Sequence, residues 1–466
     1  MAGRKVAVFG LGASGTASAL ALLAGGAEVA AWDDGEAARS AAAAAGLPLA
    51  DLGTADWGGF SALVLAPGVP LTHPEPHWTV VEARSAGVEV IGDTELFFRE
   101  RAAHCPDAPV ICITGTNGKS TTTALVAHIL RHAGCEVEMG GNIGKAILTL
   151  APPARERFHV VEMSSFQIDL TPSMSPTVGV LLNITPDHLD RHGTFDHYAA
   201  VKERLVAAAT VGCVGIDDPR CLEILKRKVA VGAAVAFCVR RSIAPGYSML
   251  GSQIVCSDAT GLAVRLADLA GIATLRGAHN AENALAAVAS VRECLRLAGR
   301  STQIDWQGAL GTFPGLAHRL EQIGHAGRVL LVNDSKATNA ESTEKALASF
   351  PRAIHWIVGG KAKEGGIEGL APYFPRVAKA YLIGAASDSF AATLDGRVAL
   401  ERCGTLDVAL ARAIAEATAS DDAEPVVLLS PACASYDQYR NFEVRGDHFR
   451  ELARQLPGFV AREDAP

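Results

Sequence analysis

The stretch TGTNGKST, residues 114–121, is the feature that most limits how this chain can fold. It follows the apolar run Val110–Thr114 and leads into a helix-like pattern over residues 120–132. Backbone N–H groups of a glycine-rich loop at a helix start bind phosphates, while Lys119 can neutralise them and Ser120 can ligate magnesium. The pattern therefore predicts a strand, a nucleotide-phosphate loop and a helix in direct succession.

A second glycine turn lies near the beginning of the chain. Gly10, Gly12 and Gly15 have the spacing G-x-G-x-x-G after the predicted strand Lys5–Phe9, and Asp33 follows about twenty residues later. Such a turn binds a nucleotide diphosphate at a helix N-terminus. Taken alone it favours a nicotinamide-dependent dehydrogenase, and a simple tight turn between strand and helix stays open.

Short apolar runs alternate with helical stretches along the chain, which predicts an α/β fold with mostly parallel sheets. Polar, proline-bearing joints at residues 99–109 and 311–319 divide the chain into three domains. We expect a Rossmann-like domain at 1–105, a central phosphate-loop ATPase domain at 106–314 and a Rossmann-like C-terminal domain at 315–466. The predicted strands are Lys5–Phe9, Glu28–Trp32, 62–66, Val110–Thr114, 159–162, 178–184, 329–332, 354–358, 380–383 and Val426–Leu429.

Composition narrows the class of protein further. The 466 residues carry a net charge of -8, which argues against nucleic-acid binding by charge. The ten cysteines include no Cys-x-x-Cys pair, which indicates free thiols in a reducing compartment rather than a disulfide framework or a zinc site. No apolar stretch reaches membrane-spanning length, and the N-terminal run is too short for a signal peptide. We expect a cytoplasmic protein without a membrane partner.

Oxygen and nitrogen ligands for a metal follow two of the central strands. Glu162 ends the run HVVE, and His188 and Asp190 lie in NITPDHLDRHG after the next strand. The carboxyl ends of parallel strands are where such sheets bind ligands. From these residues alone, a solvated glutamate and a surface His–Asp pair remain equally good interpretations.

The sequence TGTNGKST resembles the ATP-binding loop of the Mur ligase family, although the generic motif has a glycine where this chain has Ile113. The resemblance covers nearly the whole chain and is weakest over residues 213–270. It implies three domains that bind a UDP-sugar, ATP and an incoming amino acid, and an ATP-dependent reaction that joins a carboxylate to an amine. The two glycine turns then have separate tasks, one for the UDP diphosphate and one for ATP.

The resemblance also implies the residues of the central site. It makes Lys119, Glu162, His188 and Lys202 catalytic, although Lys202 by itself looks like a surface lysine. Two magnesium ions are implied, with Ser120, Glu162, His188 and Lys202 as ligands, the lysine being carbamylated. The implied ATP contacts are Gly115, Thr116, Asn117, Gly118, Lys119, Ser120, Thr121, Asn280, Arg319 and Asp334.

In the third domain, residues 333–339 and 430–449 resemble the D-glutamate-adding branch of the family. Thr338 and Ser435 could instead be helix caps, and Lys361 stands where the family often has an acidic residue. The implied D-glutamate contacts are Lys336, Thr338, Lys363, Ser435 and Phe442. The implied contacts of the UDP substrate are Gly12, Ser14, Gly15, Asp33, Asp34 and Asn142.

The function implied by the resemblance is ATP-dependent addition of D-glutamate to UDP-N-acetylmuramoyl-L-alanine through an acyl phosphate, by a monomer, in peptidoglycan precursor synthesis. The nearest alternative is another amino-acid-adding Mur ligase or a folylpolyglutamate-type ligase, which would share the ATPase domain. A nicotinamide dehydrogenase and a non-catalytic nucleotide-binding regulator are further alternatives. The dehydrogenase hypothesis leaves TGTNGKST without a purpose.

Overall fold

A computed structural model describes residues 1–362 and 365–462 of the chain. These residues form three β-sheets, mostly parallel and flanked by helices, which confirms the predicted α/β class. The chain forms two compact units, of which the first contains Met1–Ala270 and Asn280–Gly311 and the second contains Gly271–His279 and the chain from Thr312 onward. The first two sheets lie in the first unit, so the domain boundary at 105/106 stays a prediction, as does the boundary at 314/315.

The N-terminal sheet has four parallel strands in the order β2-β1-β3-β4. Its strands are β1 (Lys5–Phe9), β2 (Glu28–Trp32), β3 (Ala62–Leu65) and β4 (Glu89–Ile91), and its helices are α1 (Ala13–Ala24), α2 (Glu36–Ala44), α3 (Trp78–Ser85) and α4 (Asp93–His104). Val6 and Val8 pack into one apolar cluster, whereas Ala7 and Phe9 pack into another. Helices thus cover both faces of the sheet, which is why its strands are apolar throughout.

The central sheet has nine strands in the order β13-β12-β11-β10-β9-β8-β5-β7-β6. They are β5 (Val110–Thr114), β6 (Glu136–Gly141), β7 (Arg157–Glu162), β8 (Val178–Leu181), β9 (Val211–Gly215), β10 (Ala233–Cys238), β11 (Gly246–Leu250), β12 (Gln253–Ser257) and β13 (Ala263–Asp268). Strand β5 pairs in parallel with β7 on one side and with β8 on the other. The strand order reverses at β5, and a ligand site is expected where that happens.

Helices of the central region are α5 (Lys119–His132), α6 (Ser165–Asp169), α7 (Leu189–His192), α8 (Phe195–Ala208), α9 (Pro219–Val231), α10 (Ala278–Leu297) and α11 (Trp306–Gly311). Residues 213–270, which carried no motif, build the far edge of the sheet, where β12 runs antiparallel to both of its neighbours. The strand predicted at 178–184 ends at Leu181, because Asn183 turns its side chain toward the phosphate loop.

The sheet of the second unit has seven strands in the order β18-β17-β16-β19-β15-β14-β20. They are β14 (Glu321–Ala326), β15 (Val329–Asn333), β16 (Ile354–Gly359), β17 (Val377–Ile383), β18 (Leu400–Gly404), β19 (Val426–Leu429) and β20 (Phe459–Ala461). Its helices are α12 (Ala340–Ala348), α13 (Ser387–Leu394), α14 (Leu406–Ala419) and α15 (Phe442–Arg454). Short 3-10 helices lie at Trp57–Gly59, Ile147–Thr149, Ala273–Leu275 and Glu368–Arg376. Among the residues that the structure describes, no helix is long and apolar enough to cross a lipid bilayer.

Candidate active site

The glycine-rich loop connects β5 directly to α5, as its sequence predicts. Gly118 has a left-handed backbone with φ +85°, and a Cβ atom there would collide with Oδ1 of Asn283, so glycine is required at this position. The Asn117 N–H donates to Asn183 Oδ1 at 2.9 Å. The Lys119 ammonium donates to the carbonyl oxygens of Gly115 and Thr116, at 2.9 Å and 2.7 Å. The loop therefore holds a lysine charge at the N-terminus of α5, where phosphate binds best.

The threonine and serine side chains of the loop lie inside the protein. Ser120 and Thr121 are buried in the first turn of α5. Thr116 Oγ1 lies 3.1 Å from both the Thr185 carbonyl oxygen and the Tyr198 hydroxyl. These contacts connect the loop to the segment after β8 and to α8. The residues predicted to contact ATP are therefore held in place by packing and hydrogen bonds.

Glu162 stands at the carboxyl end of β7, next to the phosphate loop. It is paired in the sheet with Ile113, and its side chain is only 2% exposed. Its Oε1 accepts a hydrogen bond from Asn142 Nδ2 at 2.9 Å, whereas no described residue provides a hydrogen bond to its buried Oε2. A buried carboxylate oxygen without a partner is costly, and a bound cation is the usual reason for one.

Lys202 is buried, not exposed on a solvated helix face. Its side chain on α8 is 1% exposed and donates to the Gly115 carbonyl oxygen at 2.8 Å and to Thr114 Oγ1 at 3.3 Å. Burial lowers the pKa of Lys202 well below its ordinary value, and the nearby Lys119 charge lowers it further. The amine is therefore held close to its neutral form beside the phosphate loop.

His188 lies at the start of α7, in the loop that follows β8. Its backbone is left-handed, with φ 53°, and its exposed ring has its centroid 5.1 Å from that of Phe166. Its Nε2 lies 3.4 Å from Asp187 Oδ2. Glu162, His188 and Lys202 thus all surround the carboxyl ends of β5, β7 and β8. The Glu162 oxygen that has no described hydrogen-bond partner, together with a carbamate formed on Lys202, would fit a hard divalent cation.

Asn280 approaches the same loop from α10. It is buried, and its Oδ1 accepts from Asn283 Nδ2 at 3.1 Å. Asn283 Oδ1 in turn accepts from Thr122 Oγ1 at 3.2 Å. The first turns of α10 are therefore connected to the phosphate loop by a short chain of side-chain hydrogen bonds.

The glycine turn of the N-terminal sheet is closed by the acidic residue that follows β2. The Leu11 N–H donates to Asp33 Oδ2 at 2.7 Å, and the Gly35 N–H donates to Asp33 Oδ1 at 2.8 Å. Gly15 allows the turn to pack, because a Cβ atom there would collide with the carbonyl oxygen of Gly10. Asp33 thus orders the turn through both of its oxygens, and its predicted role in substrate binding stays a prediction.

The other predicted contacts of the UDP substrate also have protein partners. Ser14 Oγ donates to Asp93 Oδ2 at 2.6 Å. Asp34 is exposed, and its Oδ2 lies 3.1 Å from His77 Nε2. Asn142 is bound to Glu162 at the central sheet, so the predicted substrate contact and the predicted metal ligand touch each other.

In the second unit, Asp334 lies at the end of β15 with a buried carboxyl group. It accepts from Ser430 Oγ at 2.8 Å and from the Leu320 N–H at 3.1 Å. Burial raises the pKa of Asp334 to about 7, and the Ser430 hydrogen bond and the Arg319 charge oppose this shift. The predicted ribose and phosphate contacts, Asp334 and Arg319, are therefore electrostatic neighbours.

The four described residues of the predicted amino-acid contacts lie on two segments of the second unit. The Lys336 ammonium is 5.4 Å from the centroid of the Phe442 ring. Asn339, rather than Thr338, caps α12, and Ser435 is buried in a turn. Lys363 lies outside the described residues. Lys361 exchanges two backbone hydrogen bonds with Ala434, of 2.9 Å and 3.0 Å, beside Ser435.

Two protein-family models match most of the central and C-terminal parts of the chain. The model described as "Mur ligase middle domain" matches residues 113–291, and the model described as "Mur ligase, glutamate ligase domain" matches residues 318–433. Two proteins named UDP-N-acetylmuramoylalanine--D-glutamate ligase are similar to this chain. The protein from Nitrobacter winogradskyi is 58% identical to it, and the protein from Brucella abortus is 56% identical. Each alignment covers 98% of this chain and 97% of the relative.

The chain belongs to the Mur ligase family. Membership confirms the predicted class of enzyme, an ATP-dependent ligase that forms amide bonds. It excludes the dehydrogenase and the non-catalytic regulator that the sequence left open.

Solved structures agree with this Mur ligase fold. A UDP-N-acetylmuramate-alanine ligase from Thermotoga maritima matches with a TM-score of 0.57 and 18% identity, over 97% of this chain and 99% of that one. A pseudomurein peptide ligase type C from Methanothermus fervidus matches with a TM-score of 0.54 and 18% identity, over 97% and 100%. At this identity the likeness concerns the fold alone.

Sequence reasoning missed several residues that support this Mur ligase site. Asn183 and Asn283 hold the phosphate loop from β8 and α10. Arg445, in the first turn of α15, is 1% exposed and donates to Ser335 Oγ, to the Ser335 carbonyl oxygen and to the Cys433 carbonyl oxygen. Burial lowers the pKa of Arg445 to about 10. No local pattern marks these residues, since each acts on a distant segment.

Proposed function

We propose that this Mur ligase joins D-glutamate to UDP-N-acetylmuramoyl-L-alanine at the expense of ATP. The buried pair Glu162 and Lys202 beside the phosphate loop carries the chemical part of the proposal, because it supplies a carboxylate oxygen without a described hydrogen-bond partner and an amine of lowered pKa where ATP phosphates would lie. The shared name of relatives that match over nearly the whole chain supports the choice of substrates.

The reaction begins with the carboxylate of the alanyl group. One of its oxygens attacks the γ-phosphorus of ATP, the bond from that phosphorus to the β–γ bridging oxygen breaks, and ADP leaves with the electron pair. The acyl phosphate then reacts with the amino group of glutamate. The new C–N bond forms, phosphate leaves from the carbonyl carbon, and the nitrogen loses a proton.

Lys119 stabilises the negative charge that develops during the transfer. In the structure its ammonium donates to carbonyl oxygens of the phosphate loop, so the charge already lies where the ATP phosphates would bind. Electrostatic stabilisation of this kind costs no reorganisation at the moment of reaction. Asn117, Ser120, Thr121 and Asn280 hold ATP in this proposal, and Arg319 and Asp334 are its further proposed ATP contacts.

Magnesium would be held by Ser120, Glu162, His188 and a carbamylated Lys202. When bound, it neutralises the phosphate charge and orients the two reacting groups. The carbamate forms when the neutral Lys202 amine attacks the carbon of CO₂ and loses a proton, which turns a cationic side chain into an anionic one. The lowered pKa of Lys202 supports this step, because only the neutral amine reacts.

The contacts of the remaining substrates rest on the resemblance to the family. The glycine turn at Gly12–Gly15, with Asp33 and Asp34, binds the UDP group, and Asn142 contacts the end of the substrate that reacts. Lys336, Thr338, Lys363, Ser435 and Phe442 hold D-glutamate, for whose carboxylates a lysine and hydroxyl groups are suitable partners. The enzyme acts as a cytoplasmic monomer in this proposal.

The decisive experiment measures phosphate release from ATP with each substrate omitted in turn. We expect release only when UDP-N-acetylmuramoyl-L-alanine and D-glutamate are both present. L-Glutamate, L-alanine and diaminopimelate are the matched alternatives for the amino acid. Equal release with either substrate absent, or a preference for another amino acid, would overturn the assignment.

A further inference from the structure

Three potential metal ligands meet outside the predicted magnesium site. Asp169 ends α6, His192 ends α7, and His197 lies in the first turn of α8. One ligand atom from each lies within 4.8 Å of the other two. Two short helices and the start of a third thus bring together two imidazoles and a carboxylate, a set of ligands used by neither ATP nor the predicted catalytic centre.

His192 is the buried member of this cluster. Its side chain is 2% exposed, and its ring stacks on Phe166 with centroids 5.2 Å apart and planes 5° from parallel. Nε2 lies 2.8 Å from Ser165 Oγ, whereas the buried Nδ1 has no hydrogen-bond partner in the described part of the chain. An imidazole that uses one nitrogen for a fixed hydroxyl and keeps the other unpaired is arranged as a metal-bound histidine is.

Asp169 and His197 complete the cluster from the solvent side. Asp169 Oδ1 accepts a hydrogen bond from Arg204 at 3.0 Å. Its Oδ2 has no hydrogen-bond partner among residues 1–362 and 365–462. His197 is exposed, and its ring centroid is 5.8 Å from that of His192. An ion could therefore enter from solvent, while Arg204 would orient the carboxylate as an outer partner.

The protonation state of the His192 ring allows it to act as a metal ligand. Burial, aided by the charges of His197 and His188, lowers the pKa of His192 to about 4, so the ring is neutral at neutral pH. A metal ligand must be neutral or anionic, and this ring needs no deprotonation before it binds.

We propose that Asp169, His192 and His197 form a binding site for a borderline transition-metal ion, of which Zn²⁺ is the best match. Two imidazoles and one carboxylate favour zinc over magnesium, which prefers oxygen ligands. Three protein ligands leave a fourth position for water. His188 contacts the same Phe166 ring as His192, so an ion at this site restrains the turn that carries the predicted magnesium ligand.

The test uses Co²⁺ as a spectroscopic probe for zinc on the full-length enzyme. Excess Mg²⁺ and a non-hydrolysable ATP analogue occupy the catalytic centre, and the visible ligand-field absorption of Co²⁺ is titrated. We expect one bound Co²⁺ that Zn²⁺ displaces. His197→Gln and Asp169→Asn should weaken Co²⁺ binding about tenfold or more, and Ser165→Ala should weaken it to a smaller extent. His197 is the preferred histidine to substitute because it is exposed, whereas substitution of the buried His192 could prevent folding.

Two control variants separate this site from others. His104→Gln removes an exposed histidine elsewhere and should leave binding unchanged, as should Glu162→Gln, which alters the predicted magnesium centre. A Zn²⁺-dependent rise in melting temperature should occur in the wild type and not in His197→Gln. The proposal is overturned if no Co²⁺ absorption appears, if His197→Gln binds like the wild type, or if Glu162→Gln abolishes binding.

Discussion

Lys202 and Lys119 donate to the same backbone acceptor, the carbonyl oxygen of Gly115, at 2.8 Å and 2.9 Å. A proton on the buried Lys202 amine is disfavoured by the loss of solvation and by repulsion from the Lys119 charge. Burial first, and the Lys119 charge second, therefore lower the pKa of Lys202. This relationship favours the reaction of Lys202 with CO₂.

Carbamylation of Lys202 is the first prediction. Enzyme equilibrated with ¹³C-bicarbonate should show a carbamate carbon signal by NMR that Lys202→Arg lacks, and this variant should lose on the order of a hundredfold or more in turnover. Lys226→Arg, at an exposed lysine paired with Glu223, is the matched control and should keep both the signal and the activity. An unchanged signal in Lys202→Arg would show that the carbamate lies elsewhere.

Lys119→Ala should abolish phosphate neutralisation in the loop. Because one charged stabiliser of a transition state contributes about a hundredfold to a thousandfold, we expect a loss of that size in kcat, measured by amide formation. Lys226→Ala provides the comparison for loss of a lysine charge away from the loop. Amide synthesis at the wild-type rate in Lys119→Ala would contradict the proposed mechanism.

Glu162→Gln tests the metal assignment. The variant keeps the shape of the side chain but removes the anionic oxygen that has no hydrogen-bond partner among the described residues, so the enzyme should require a higher Mg²⁺ concentration and lose activity. Activity as a function of Mg²⁺ concentration measures the effect. Glu138→Gln, on the neighbouring strand β6, should leave the Mg²⁺ dependence unchanged, and an equal response of both variants would argue against a ligand role for Glu162.

Asp334 predicts a pH dependence of stability. Its pKa is about 7 in the folded state, above the ordinary value of 3.8, so between these pH values the folded protein keeps a proton that the unfolded chain releases. The free energy of unfolding should therefore fall as pH rises from about 4 to 7, by at most about 4 kcal/mol from this group. Urea unfolding across this range measures it. Asp334→Asn should lose this component and exposed Asp395→Asn should keep it; parallel pH profiles in all three proteins would contradict the assignment.

Arg445 should act on amino-acid binding through the segments that it connects. Arg445→Met leaves the carbonyl oxygens of Ser335 and Cys433 buried without their donor, which should lower the free energy of unfolding by about 2 kcal/mol or more. The KM for glutamate should rise more than the KM for ATP. Ser335 is adjacent in sequence to Lys336, and Cys433 lies two positions before Ser435. Arg454→Met, at the exposed end of α15, is the control. Equal changes in both KM values would indicate a general loss of stability.

Local patterns in the sequence determined the fold class, the phosphate loop and the positions of ten of the twenty strands that the structure describes. The loop is predictable because its residues are contiguous: β5, the glycines and the start of α5 act within ten positions of one another. The carboxyl ends of β5 and β7 were predictable for a similar reason, since apolar runs mark these strands, whereas the end of β8 at Leu181 was not. Resemblance to a family added roles for residues such as Lys202 that no local pattern distinguishes from solvated surface.

Tertiary structure alone decided which polar side chains are buried and what they touch. Lys202 lies 87 positions from Gly115, and Asn283 lies 161 positions from Thr122, yet each pair is hydrogen bonded. The same packing of distant segments explains three further features. They are the Glu162 oxygen without a described hydrogen-bond partner, the neutral His192 ring beside Asp169 and His197, and the buried Arg445. Protonation and ligand affinity depend on desolvation and on neighbouring charges, and both arise only when distant segments pack together.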